Sequence, residues 1–190
     1  TINSKNIKVL FCAEILTNDI LLRVIRRKES VKSLSLLGCS KDSIDYLNNY
    51  FLINDKKLHE SASKIYFYMK SLRNTYNFTQ ILTLNFEGGH PDHDSLALLV
   101  NKFAIENCIK KYFFPAYNGR KSFLLPLSVF KPLKSQNKFF KSIELGYFCW
   151  KETLMIAFIY KSEWKAFIKL FPFILLNLIF SNTVFYACTI

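Results

Sequence analysis

Two of the chain's three histidines, His90 and His93, lie three residues apart. A His-x-x-His pair can supply imidazole to a divalent metal, of which zinc is the best fit, although catalytic zinc needs three protein ligands and a water molecule. One histidine can instead hold the metal while the other acts on the substrate as an acid, oriented by a carboxylate such as Asp92. The simpler alternative is a surface loop in which Asp94 or Ser95 only caps the following helix.

The histidines lie between a strand pattern and a helix pattern. Residues 80–86 form an apolar, β-like run, and apolar side chains recur at helical spacing over residues 94–110. Gly88 and Gly89 lie between the two patterns, and glycine lets the backbone approach a ligand closely. Open α/β sheets place their sites at the carboxyl ends of strands, and this position favours a functional role for the histidines.

The hydrophobic pattern along the chain predicts strands and helices in alternation. This order predicts an α/β fold with a mostly parallel sheet and helices on both of its faces. The predicted strands are residues 7–12, 43–47, 80–86 and 112–116, and the predicted helices are residues 18–37, 56–72 and 94–110.

The C-terminal part of the chain ends in an uncharged segment. We expect one helix over residues 151–159 and a second that begins near Ser162 and covers residues 164–171. Residues 171–190 carry no charge, and this length could just span a bilayer. Because Pro172 and several polar residues dilute the segment, a buried helix followed by a strand, or a segment on a membrane surface, is an equal alternative.

The composition favours an ordered protein of a reducing compartment. With 190 residues, 51% hydrophobic and 21% charged, the chain is long enough for one domain with a substantial core. The net charge of +12 is spread without a block of lysines, so we expect a solvated basic surface and no nucleic-acid partner. The five cysteines form no C-x-x-C motif and Thr1–Asn6 is polar, so we expect reduced thiols and a cytoplasmic protein.

One stretch resembles a family signature. Residues 87–93, Glu-Gly-Gly-His-Pro-Asp-His, resemble the second signature of the LmbE/PIG-L family of zinc-dependent N-acetylglucosaminyl de-N-acetylases. Three weaker pieces follow in the family's order, and the last has Glu where many bacterial members have Gln. They are the R-x-x-E of Arg26–Glu29, the D-x-x-L of Asp55–Leu58 and the Y-K-S-E of Tyr160–Glu163.

The resemblance implies a fold and a domain arrangement. The implied fold is a Rossmann-like three-layer sandwich. A deacetylase domain would occupy residues 1–175 and an apolar tail residues 176–190.

The resemblance also implies a reaction and a role for each site residue. The family uses water bound to Zn²⁺ to hydrolyse an N-acetyl amide, which releases acetate and a free amino sugar. His93 would be the metal ligand, and His90 would stabilise the tetrahedral intermediate or protonate the leaving amine. Asp92 would orient and charge His90. Arg26 and Asp55 would bind the N-acetylated amino sugar.

The family's first signature, A-H-P-D-D-E, has no match in this chain. It would supply two further metal ligands and the general base, whereas the third histidine, His59, lies in a lysine-rich helix and is predicted to be exposed. In the family's order Ile7–Cys12 resembles the second strand, so we expect the motif and the first strand to precede Thr1. We expect the chain as given to be inactive, because one ligand cannot hold catalytic zinc well.

Other interpretations of these residues stay open. Arg26 could simply pair with Glu29 or face solvent, and Asp55 could be a helix N-cap. The chain could be a non-catalytic domain of the same fold that binds a glycan or an anionic lipid through its basic face. Nucleic-acid binding has charge alone in its favour. The uncharged C-terminal segment favours a lipid-linked substrate or association with a membrane surface.

Overall fold

A computed structural model describes residues 7–12, 20–54, 56–118, 128–133, 140–144, 155–180 and 183–189. The chain divides into two compact units, one of Thr1–Asp55 with Leu145–Phe171 and one of Lys56–Glu144 with Pro172–Ile190. In chain order the elements are β1 (Val9–Phe11), α1 (Ile20–Leu36), β2 (Ile44–Tyr46), α2 (Ala62–Tyr76), β3 (Gln80–Leu84), α3 (Pro91–Glu106), β4 (Lys110–Phe114), β5 (Tyr117–Asn118), β6 (Ser128–Val129), β7 (Lys141–Glu144), α4 (residues 155–159), α5 (Trp164–Phe180) and β8 (Thr183–Thr189).

Two short parallel strands, β1 and β2, form the sheet of the first unit. Parallel strands need a crossover connection, which here contains α1. The register places Phe11 opposite Tyr46, and their rings stack with centroids 4.9 Å apart. The guanidinium of Arg27 on α1 lies 4.6 Å from the centroid of the Tyr46 ring, so a cation–π contact ties the helix to the strand pair.

The second unit contains a four-stranded mixed sheet of order β3-β4-β8-β7. β3 and β4 are parallel, from Gln80 opposite Lys110 to Leu84 opposite Phe114, so their carboxyl ends meet at the same edge. The β4–β8 and β8–β7 pairs are antiparallel. The predicted α/β class is confirmed; β3, β4 and β7 run in one direction, and the sheet is mixed because β8 runs against β4 and β7.

The core of the second unit lies between α3, α2 and the sheet. Phe103 of α3 is fully buried and meets the Tyr66 ring of α2 edge to face, with centroids 5.4 Å apart. The Tyr66 hydroxyl donates to the Glu106 carboxylate, and this hydrogen bond raises the pKa of Tyr66. α2 and α3 therefore share both an apolar and a polar contact.

Three predicted boundaries move for local reasons. α3 begins at Pro91 rather than at residue 94, because proline has the backbone φ of a helix and needs no donor at the first helical position. α2 begins at Ala62, after a 3₁₀ turn at Leu58–Ser61, and ends where Asn77 adopts the left-handed conformation. β4 ends before Pro115, which cannot donate a ladder hydrogen bond.

The uncharged C-terminal segment is a helix followed by a strand, one of the three alternatives that the sequence left open. α5 continues through Pro172 to Phe180, and β8 pairs with β4 on one side and β7 on the other. Among the described residues, no helix combines the length and the apolar character that crossing a bilayer requires.

The cysteine at the end of β1 should be chemically inert. Burial raises the pKa of the Cys12 thiol to about 12, whereas Cys108 is exposed. Because the thiolate is the reacting species, Cys12 should stay protonated and resist iodoacetamide from about pH 7 to about pH 10. Peptide mass mapping after timed alkylation checks this, with Cys108 as the accessible control. Alkylation of Cys12 as fast as that of Cys108 would contradict it.

Candidate functional site

The predicted site residues in the second unit lie where β3 passes into α3. We call residues 87–94 the histidine segment. The backbone amides of Glu87 and Gly88 both donate to Oδ1 of Asp94, at 2.7 and 3.0 Å, so a carboxylate in the first turn of α3 closes the segment into a loop. Gly88 has a φ of 68°, and a Cβ there would meet no atom within 4 Å. Glycine is therefore favoured by backbone conformation rather than by lack of space.

His90 is the N-cap of α3. Its backbone is extended, and its Nδ1 accepts a hydrogen bond from the Asp92 amide at 3.3 Å. Neutral imidazole carries one proton, so a ring that accepts at Nδ1 carries its proton on Nε2. We infer that His90 presents an N–H donor at Nε2.

His93 has the opposite electrostatic surroundings. Its ring stacks on that of His90, with centroids 4.5 Å apart, and its Nδ1 lies 3.8 Å from Oε2 of Glu87. The two atoms are too far apart for a hydrogen bond, and we infer from the position of the carboxylate a proton on Nδ1 and the lone pair on Nε2, the arrangement common in metal-binding histidines. The two stacked rings thus differ in what they offer: His90 a proton, His93 a lone pair.

Glu87 was not assigned a role from the sequence, and the structure gives it one. The residue is 4% exposed, and its Oε1 accepts the amide of Ala116 at 2.8 Å, just beyond β4. Its other oxygen is the one that faces His93. Glu87 therefore fixes the end of β3 to the end of β4 and sets the field at His93. The available signal was a carboxylate directly after the apolar, β-like run of residues 80–86.

Asp92 holds a neighbouring turn. The residue is 5% exposed, and its carboxylate accepts the amides of Lys56, at 2.7 Å, and Leu58, at 3.0 Å. Lys56 has a φ of 64°, a conformation that an L-residue adopts at a cost, so these hydrogen bonds offset local strain. The predicted action of Asp92 on His90 stays a prediction.

The structure brings together three of the five predicted site residues, namely His90, Asp92 and His93. Asp55 lies outside the described residues, and Arg26 belongs to the first unit. His59, the third histidine, is exposed on its 3₁₀ turn, as predicted.

Within the first unit, the R-x-x-E piece at Arg26–Glu29 contacts the Y-K-S-E piece at Tyr160–Glu163. Nη2 of Arg26 lies 2.7 Å from Oε1 of Glu163, so Arg26 pairs with this residue rather than with Glu29. Glu29 is buried and accepts from both the amide and the hydroxyl of Ser162. Tyr160 shares a hydrogen bond of 2.9 Å with Ser33. The R-x-x-E and Y-K-S-E pieces therefore form one interlocked cluster.

The described donors do not make a complete zinc site. Among the residues that the structure describes, no group of three or more His, Cys, Asp or Glu side chains could hold a metal ion. Catalytic zinc takes three protein ligands, so the described residues do not by themselves fit the Zn²⁺ that the family resemblance implies.

Two solved structures have a similar fold. One is a deacetylase–bog complex from the biosynthesis pathway of teicoplanin, with a TM-score of 0.64 and 12% identity over 97% of this chain and 88% of that chain. The other is the A40926 pseudoaglycone deacetylase Dbv21, with a TM-score of 0.60 and 14% identity over 95% of this chain and 83% of that chain. No family model and no curated protein matches the sequence.

These neighbours bear on the fold. Both are deacetylases by description, and at 12% and 14% identity their likeness to this chain shows a shared fold alone. The Rossmann-like α/β architecture predicted from the sequence is confirmed. Identity this low leaves the activity of the chain to be argued from its own residues.

Loss of the Asp92 carboxylate should loosen the 56–58 turn. Asp92→Ala leaves two amides without acceptors, so we expect the free energy of unfolding to fall by about 2–4 kcal/mol. Amide hydrogen exchange at Lys56 and Leu58 should accelerate. Asp92→Asn retains one acceptor oxygen, so its free energy of unfolding and its exchange rates should lie between those of the unmodified chain and those of Asp92→Ala. Denaturant unfolding and exchange mass spectrometry measure both effects, and unchanged exchange in Asp92→Ala would contradict the assignment.

The cluster in the first unit should depend on Glu29 more than on Glu163. Glu29→Ala removes a buried acceptor of two hydrogen bonds and should lower the free energy of unfolding by about 2–4 kcal/mol. Glu163→Gln keeps a hydrogen bond to Arg26 at a partly exposed position and should cost less than about 1 kcal/mol. Urea unfolding of both variants makes the comparison. Equal losses would show that Glu29 has no special place in the cluster.

Proposed function

We propose that this chain is a carbohydrate deacetylase of the LmbE/PIG-L type, a hydrolase that acts on an N-acetylglucosamine-type sugar. The observation that carries the proposal is the pair of stacked histidines at the carboxyl edge of β3, one offering a proton and the other a lone pair. Two deacetylases share the fold, which supports the same class of reaction.

The reaction needs a proton donor at a defined place. Hydrolysis of the acetamide forms a bond from a water oxygen to the carbonyl carbon and breaks the bond from that carbon to nitrogen. The departing nitrogen then needs a proton to leave as an amine. As neutral imidazole His90 can donate a hydrogen bond from Nε2 to the oxyanion of the tetrahedral intermediate, whereas protonating this nitrogen would require its imidazolium form. Asp92, one of the two helical residues between the histidines, would orient His90 through its backbone amide, which donates to Nδ1.

His93 would serve as a metal ligand through Nε2, with Glu87 behind it. Zn²⁺ bound in such a site supplies an acidified water and a Lewis acid for the carbonyl. The described residues provide only part of the ligand set, so the proposal gives His90 the donor role and assigns no further metal ligand.

Substrate binding is proposed for Arg26 and Asp55. Arg26 has five N–H donors, of which the ion pair with Glu163 uses one end. Its Nε is buried and makes no hydrogen bond to the described residues. Because that Nε is buried, a sugar hydroxyl would accept instead from the outer N–H groups of the Arg26 side chain, which is 24% exposed, and the Glu163 carboxylate can accept from the same kind of group.

The alternative is a non-catalytic domain of the same fold that binds a glycan. The incomplete set of described metal donors favours it, whereas the arrangement of His90 and His93 favours catalysis. Both proposals require binding of the sugar, so release of acetate is the observation that separates them.

Substitution of the two histidines should separate their roles. In acetate-release assays on N-acetylglucosamine glycosides, any rate that the unmodified chain shows should fall by at least about 100-fold in His90→Ala and in His93→Ala, since each removes a group that would act in the reaction. Zinc per chain, measured by elemental mass spectrometry, should fall in His93→Ala and stay unchanged in His90→Ala.

The third histidine supplies the control. His59→Ala changes an exposed imidazole outside the site and should leave both rate and zinc content unchanged. A wild-type rate in both site variants would rule out the deacetylase proposal. Glycan binding without acetate release by the unmodified chain would support the non-catalytic alternative.

A further inference from the structure

An exposed face in the first unit combines apolar and basic side chains. We call this surface, on residues 155–169, the α5 face. Its apolar members Phe158, Trp164 and Ile168 have exposed fractions of 65%, 45% and 58%. Three exposed lysines accompany them, at positions 161, 165 and 169. Apolar side chains of this size, exposed together, mark an interaction surface.

The spacing on α5 sorts these side chains by type. Residues four apart share one side of a helix, and successive residues turn by about 100°. Trp164 and Ile168 therefore form one stripe, and Lys165 and Lys169 form the adjacent stripe. Such a helix can lie in a lipid interface with its apolar stripe among the acyl chains, while long lysine stems carry their ammonium groups to the headgroups.

The positive charge of the α5 face favours an anionic partner. From residue 155 to residue 190 the sequence has a single acidic residue, Glu163, and its carboxylate is paired with Arg26 at 2.7 Å. This stretch of the sequence therefore offers its lysines no other carboxylate, in a chain whose net charge is +12. An anionic surface complements this face, whereas a second copy of the chain would set lysine against lysine.

We propose that the α5 face docks on the surface of an anionic lipid bilayer. The helix lies on the membrane and does not cross it. The proposal is independent of the deacetylase proposal, because it involves neither histidine and can be tested without a sugar.

Vesicle partitioning of the full chain tests the docking. The chain should bind vesicles of phosphatidylcholine mixed with phosphatidylglycerol, bind phosphatidylcholine alone weakly, and dissociate as salt is raised. The double variant Lys165→Gln/Lys169→Gln should lower the partition coefficient by about 30-fold at low salt. The matched control, Lys64→Gln/Lys70→Gln, alters two exposed lysines of α2. Both double variants lower the net charge from +12 by 2, to +10.

A second pair of variants tests the apolar stripe. Ile168→Ser should lower partitioning by about tenfold, because the side chain no longer enters the acyl region. Ile105→Ser is the control, since Ile105 is 61% exposed on α3, and it should bind as the unmodified chain does.

In a Trp150→Phe background, Trp164 is the only tryptophan, and its emission should shift to the blue on addition of anionic vesicles.

Several outcomes would overturn the proposal. Equal weakening by the two lysine pairs would mean that net charge alone drives binding. Absence of vesicle binding by the folded chain, with far-UV circular dichroism as the check on folding, would exclude a lipid surface. If the α5 lysine variant instead lost self-association, or binding to an oligonucleotide, the face would belong to that partner. An unshifted Trp164 emission in the bound state would exclude insertion of the apolar stripe.

Discussion

Buried carboxylates bound to backbone amides set the position of the histidines. A carboxylate removed from water is costly unless hydrogen bonds replace its hydration. Glu87 meets this need with the amide beyond β4, and Asp92 with two amides of the 56–58 turn. Asp94 does the same within the loop. Glu87 and Asp92 thus tie the histidine segment to two other parts of the second unit, and Asp94 closes the segment on itself. The orientations of His90 and His93 follow from these contacts.

The sequence best predicts the structural features that depend on residues close together in the chain. Periodicity alone identifies β3 and α3, and the two glycines and the proline mark the turn between them. The start of α3 moves because Pro91 fits the first helical position, a local effect that the pattern of apolar residues does not report. The role of Glu87 depends on Ala116, which only the pairing of β3 with β4 brings near. Such long-range partners are outside the reach of any single-sequence argument.

The short motifs of the first unit show the same difference between features set by neighbouring residues and features set by long-range contacts. Arg26–Glu29 and Tyr160–Glu163 are each too short to identify a family, and their separation in the sequence hides any relation between them. In the structure they contact each other through an ion pair and through hydrogen bonds to a buried glutamate. Two short pieces that follow a family's order and also meet in space constrain the fold more than either piece does. The Glu in place of the family's Gln also gives Arg26 a charged partner, so any sugar hydroxyl bound there would meet an ion pair rather than an isolated cation.

The deacetylase proposal and the membrane-docking proposal together define the class of substrate more closely than either proposal does alone. The role proposed for the histidine pair in releasing an amine points to an amide substrate such as an N-acetylated sugar, and it carries no information about where that substrate is presented. A cationic, apolar face on α5 points to an anionic lipid surface, and it carries no information about chemistry. If both hold, the substrate is a glycan held close to a membrane, because a docked chain meets surface-bound glycans at a far higher effective concentration than free ones. If the chain docks on a bilayer and releases no acetate, the non-catalytic binding domain is favoured over the enzyme. The α5 face needs no complete metal site in order to bind lipid.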